Sequence, residues 1–140
     1  MVGGQVLDLF PLENNKKNIN MMNKMKTGAL IKCATLYGAV LGKASKKNYN
    51  NMSNFGTALG KAFQIRDDLL DIEGDEKVLG KKINKDQIKG KLTLIDFYGI
   101  AGTKKLASNY ITEAKDIISN YGNRGIYLQM LTDYIIDRKK

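Results

Sequence analysis

Across residues 19–44, Met22, Met25, Ala29, Cys33, Leu36, Val40 and Ala44 recur at steps of three and four, with Leu30, Ala34, Tyr37 and Leu41 as a second row beside them. That recurrence matches the 3.6-residue turn of an α-helix and not the two-residue alternation of a strand. The rest of the chain obeys the same constraint. Proline, which breaks helices, occurs once, at Pro11. Leu106, Tyr110, Ala114, Ile117 and Tyr121 give another amphipathic helix, and Leu128, Leu131, Tyr134 and Ile135 a short last one. Before these a helix is expected from about Met52 to Ile72, followed at 74–91 by a basic, glycine-bearing connection. The fold class is all-α, with residues 1–140 forming a single helical domain that buries about two thirds of its unfolded surface.

The double row marks the 19–44 helix as central, because a helix apolar on two sides is normally packed on both. Gly28, Gly38 and Gly42 within it each cost about 1 kcal/mol against alanine, so a neighbour is expected to approach closely there. Composition narrows the chemistry. The chain has no histidine and one cysteine, Cys33, which argues against a zinc site or a histidine acid–base device. A buried free thiol at Cys33 fits a reducing cytoplasm. No apolar run is long enough to span a membrane, and MVGGQVLDLF lacks the regions of a secretory signal. The net charge of +9 is spread over scattered lysines that read mainly as solvated surface. No lysine–aromatic module points to nucleic acid.

One stretch resists a purely structural reading. In AFQIRDDLLDIEGD, residues 62–75, Gln64, Asp67, Asp68 and Asp71 stand at relative positions 0, 3, 4 and 7 and share one helix face. Phe63, Ile65, Leu69, Leu70 and Ile72 belong in a core. Like charges at this spacing repel by about 0.2–0.5 kcal/mol per pair. A hard cation reverses that cost: Mg2+ takes oxygen ligands, keeps several waters, and is shared between one or two carboxylates and a substrate phosphate. Gly56 and Gly60 continue the same face by steps of four as a groove without side chains. A charge and a hydroxyl for a diphosphate are at hand in KTGAL, as Lys26 and Thr27, and further charges in LGKKINKDQIKGKLT, as Lys81 and Lys91.

Each motif is weak alone, since an isolated DDxxD is usually a solvated helix face. Their order is specific. GGQ-x-x-D at 3–8, KTGAL at 26–30, G-x-A-F-Q-x-x-DD-x-L-D-x-x-GD at 60–75, LGK at 79–81 and D-x-x-x-GK-x-T at 86–93 closely resemble the C-terminal half of the bacterial farnesyl and geranylgeranyl diphosphate synthases. These are trans-isoprenyl diphosphate synthases of the polyprenyl synthetase family. The closing LTDYIIDRKK resembles that family's last helix, so the likeness covers essentially the whole chain.

The resemblance implies the C-terminal half of the isoprenoid synthase helical bundle and a Mg2+-dependent prenyltransferase of isoprenoid biosynthesis. Such an enzyme condenses an allylic diphosphate with isopentenyl diphosphate. By the same resemblance Asp67 and Asp71 are Mg2+ ligands with Asp68 in support, and Lys26, Thr27, Lys81 and Lys91 grip the diphosphate. Gln64 lines the pocket beside it, and Gln5 and Asp8 lie at the cavity wall. Two departures stand out. A first aspartate-rich motif and its arginine pair are missing, and Ile95 stands where a proline often follows GK-x-T. Family members read GM-x-GGQ at this point, so Met1 is expected to be internal to a longer protein. The isolated half then needs a partner: a separately supplied N-terminal half or a homodimer mate. An inactive relic is the alternative, and a basic nucleic-acid-binding protein a weaker one. Product length lies outside what these residues specify.

Overall fold

The computed structural model describes residues 1–10, 13, 15–79 and 92–138, with backbone alone for 74–79. Its elements are α1 (Val2–Leu9), α2 (Lys16–Asn23), a π-helical turn (Lys24–Gly28), α3 (Ala29–Leu41), α4 (Lys46–Leu79), α5 (Leu94–Ser119), a 3-10 turn (Gly122–Gly125) and α6 (Ile126–Asp137). No strand occurs among the described residues, as the periodicity requires.

The core is organised by α4. Phe55, Ala58, Leu59, Ala62, Ile65 and Leu69 are all buried at 2% exposure or less and recur at helical spacing. The first four pack against Ile111, Ala114 and Ile118 of α5 and Ile135 of α6. Ile65 and Leu69 join Ile19, Leu94 and Ala107 in a second cluster. Each large side chain so buried contributes about 1.5–3 kcal/mol of transfer free energy. α5 starts where Thr93 caps it: Thr93 Oγ1 accepts from the Ile95 N–H at 3.3 Å, and the Asp96 carboxylate accepts from the Thr93 N–H at 2.7 Å. Ile95 thus supplies a donor that proline at this position lacks. The helix bends at Gly99, whose φ of 65° suits only a residue without a Cβ.

Several expectations are corrected. The 19–44 segment is continuously helical through Leu41, but its helix is not α throughout: a π turn at Lys24–Gly28 lies between α2 and α3. Nor is it central: α3 buries only Ala39 and exposes Leu30, Tyr37, Val40 and Leu41. Two rows of apolar residues signal a two-sided helix, but periodicity does not say that both sides are covered within the same chain. Cys33 is exposed for the same reason. Gly38 has nothing near its would-be Cβ, whereas Gly28 meets Gly60 of α4. The expected side-chain-free groove at Gly56 and Gly60 is filled: a Cβ on Gly56 would come within 2.8 Å of Lys32 Cα, and one on Gly60 within 2.8 Å of Gly28 Cα. Those glycines let backbones touch. α4 also runs further than expected, from Lys46 to Leu79.

Candidate functional site

Lys26 sits in the π turn, and three ties to two neighbouring helices hold that turn in place. A π turn widens the helix by one residue and redirects the side chains it carries. On one flank α1 lies against it so closely that a Cβ on Gly4 would fall 2.2 Å from the Lys26 backbone nitrogen. On another, Gly60 of α4 touches Gly28. The third tie is ionic: Lys26 Nζ donates to Asp8 Oδ2 at 2.6 Å, with both side chains largely enclosed. The sequence assigned GGQ-x-x-D and KTGAL separately; the structure joins them through this pair.

The opposite wall is the aspartate face of α4. Gln64 Nε2 donates to Asp68 Oδ1 at 3.2 Å, one turn apart. Asp67 is half-buried and paired with the Arg138 guanidinium from the end of α6. Burial pushes the Asp67 carboxyl above its ordinary value, Arg138 opposes that, repulsion from Asp71 adds to it, and the Lys26 charge opposes it. Asp67 therefore feels the π-turn cation and the next carboxylate along the helix at once. Asp71 lies one turn on and is exposed. Glu73, two residues past Asp71, accepts from Lys104 at 2.9 Å and from Arg66 at 3.0 Å. Its carboxyl is held below its usual value, chiefly by the Lys104 hydrogen bond.

Between the walls lies a small polar recess of about 20 Å³, lined by Asp8, Asn23, Lys26, Gln64, Asp68 and Thr93 among others. Four residues singled out from the sequence converge there. Through Asn23 and Gln64 the recess adjoins a much larger cavity of about 750 Å³, whose apolar wall includes Met25, Leu36, Val40, Ile65 and Leu94. The cavity follows α3 from Ala29 to Val40, eleven residues of helical rise or about 16 Å. A polar corner opening on an elongated apolar cleft fits an amphiphile with an anionic head and a hydrocarbon tail.

Not every expected residue joins in. Gln5, exposed on α1, and Thr27, half-buried beside Lys26, line neither cavity, and neither do Asp67 and Asp71, which lie on α4 outside the recess lining. Lys81 and Lys91 lie outside the described residues. Asn23, Thr93 and Arg138 were missed. Asn23 stands one turn before Lys26, a signal that spacing offered; Arg138 reaches Asp67 across 71 positions, and no local pattern announces that.

Magnesium can be tested against this donor set. No three carboxylates among the described residues converge to enclose an ion by themselves. The arrangement is instead an open row of hard oxygen donors, with Asp67 and Asp71 repelling each other. That fits a cation that keeps several waters and takes its remaining ligands from substrate phosphates.

A family model for polyprenyl synthetase matches residues 1–124. A geranylgeranyl diphosphate synthase of Cyanophora paradoxa is 38% identical over 141 aligned residues, covering 99% of this chain and 47% of the relative. A farnesyl diphosphate synthase of Bacillus subtilis (strain 168) is 33% identical, with 99% and 47% covered. Among solved structures, an FPP/GFPP synthase from Zymomonas mobilis superposes with a TM-score of 0.82 at 29% identity, over 96% of this chain and 45% of that one. A heptaprenyl diphosphate synthase from Staphylococcus aureus gives 0.83 at 24% identity, a likeness of fold. The chain spans about half the length of the relatives it matches.

Proposed function

The chain belongs to the polyprenyl synthetase family, and from that premise we propose that it forms one wall of a Mg2+-dependent prenyl diphosphate site. The observation that carries the reading is the junction at Asn23 and Gln64, where the polar recess meets the 750 Å³ apolar cavity. The diphosphate lies between the π turn and the aspartate face, and the hydrocarbon tail runs along α3. Asp67 and Asp71 hold Mg2+, with Asp68 in support and Gln64 orienting Asp68. Lys26 offsets charge on the departing diphosphate, fixed in place by Asp8 and the π turn. Lys81 and Lys91 add to that grip. The metal, when bound, acts as a Lewis acid that eases loss of diphosphate and as a template for its oxygens. The apolar cavity excludes water from the cation left on the allylic carbon.

The reaction is then condensation of an allylic diphosphate with isopentenyl diphosphate, lengthening the chain by one five-carbon unit. One wall cannot supply the transition-state stabilisation of two, so the chain works with a second helical half. The exposed apolar side chains of α1 and α3, from Val2 and Phe10 to Tyr37 and Leu41, are where that half or a homodimer mate covers it. The reading places the chain in the cytoplasm, where a lone exposed thiol such as Cys33 stays reduced.

Binding of a non-reactive thiolo analogue of an allylic diphosphate tests the reading. With Mg2+ present it should bind the 140-residue chain more tightly than inorganic pyrophosphate, because the tail fills the cavity. Equal affinities would remove the cavity from the site, and binding indifferent to Mg2+ would remove the metal.

A further inference from the structure

Arg138 closes α6, yet its side chain is only 11% exposed. Three contacts fix it before any ligand arrives. The guanidinium lies 4.0 Å above the Phe63 ring, and Nη2 donates to the Phe63 carbonyl oxygen at 3.3 Å. The Arg138 carbonyl oxygen in turn accepts from Arg66 Nη2 at 3.0 Å. Phe63 and Arg66 both belong to α4, so the helix that carries the aspartates also sets the place of this arginine. The same Nη2 pairs with Asp67 Oδ1. A carboxylate has a second oxygen with lone pairs to spare.

We propose that Arg138 is a positioning residue for the Asp67 carboxylate, fixing one oxygen so that the other is presented to a divalent cation. The proposal rests on the reading of α4 as a metal wall and extends it to the end of the last helix. Carboxylates that ligate metals are commonly oriented by such outer hydrogen bonds, and arginine suits the task because its planar fork both stacks and donates. A rival role is a competing cation, in which Arg138 occupies the carboxylate and must be displaced. The two have opposite signs: orientation strengthens metal binding and competition weakens it. The contacts to Phe63 favour orientation, since they pin the guanidinium whether or not Asp67 is there, and the Arg66 bond anchors the main chain that carries it.

The test titrates Mn2+ into the full chain with inorganic pyrophosphate present, reading free Mn2+ by its electron paramagnetic resonance signal, well below each variant's unfolding midpoint. Arg138→Gln should weaken Mn2+ binding by about 10–100-fold. Arg138→Lys should recover part of that loss by restoring the charge, although both variants lose the stacking on Phe63 and so share a lowered stability. A merely structural role would move stability without this rescue of affinity. Unchanged or tighter binding in Arg138→Gln overturns the proposal, as does a lysine variant no better than the glutamine one. Should Arg138→Gln not fold, wild-type affinity in Arg138→Lys overturns it equally. If the wild type binds no Mn2+, the metal wall itself falls and this inference with it; if it binds and Arg138→Gln matches it, only the inference falls.

Discussion

Helices α3 and α4 both carry apolar residues at helical spacing, and both pass the candidate site. In the fold they are opposites. α4 buries Phe55, Ala58, Leu59, Ala62, Ile65 and Leu69, while α3 buries Ala39 alone and leaves Leu41 82% exposed. The difference teaches that apolar periodicity shows which faces of a helix are apolar, and not which of them the described residues cover. α4 is the spine; α3 is a wall with one finished side.

That contrast can be broken at several points. Leu59→Ala should cost the most, about 2–5 kcal/mol, because the cavity it leaves is enclosed by α5 and α6; chemical denaturation reads it directly. Gly60→Ala should cost less, about 1–3 kcal/mol, by pushing the π turn off α4. It should also weaken diphosphate binding, since Lys26 rides on that turn. If Gly60→Ala leaves both unchanged, the backbone contact between α4 and the π turn is not what sets the site.

Glu73→Gln should lower stability at neutral pH by about 0.2–1 kcal/mol, a value already discounted for its exposed position. Its sign with pH is fixed. The Glu73 carboxyl titrates below the ordinary glutamate value of 4.5, so its stabilisation is complete above that value and lost as pH falls through the lowered one. Wild type and variant should therefore converge in acid, and a constant gap would assign the effect to packing instead. Smallest is Leu41→Ser on the exposed side of α3, expected within about 0.5 kcal/mol of wild type. A large loss there would mean that α3 is covered in solution.

The helices, the absence of strands among the described residues and the amphipathic α4, α5 and α6 were legible in the sequence because local periodicity specifies them. So was the company of Asp67, Asp68 and Gln64, which share one helix face by spacing alone. Joining that face to Lys26 and Asp8 took the ordered motifs, since no period links residues on different helices. What stayed hidden depends on tertiary closeness. The π turn at Lys24–Gly28 arises where Gly4 and Gly60 bring two neighbours against one segment, and no pattern within KMKTG requires it. The pairing of Arg138 with Asp67 is a long-range contact of the same kind. Gly56 and Gly60 were recognised as special but given the wrong task, because a missing side chain marks an open groove and a close backbone contact equally well.

The central claim is that the aspartates of α4 are kept together to bind a magnesium-complexed diphosphate. Calorimetry of inorganic pyrophosphate titrated into the 140-residue chain, with and without Mg2+, tests it most directly when wild type is compared with Asp67→Asn. The account predicts a Mg2+-dependent heat in the wild type that is lost or sharply reduced in the variant. Equal heats in the two proteins, or a wild-type heat that ignores Mg2+, would contradict it.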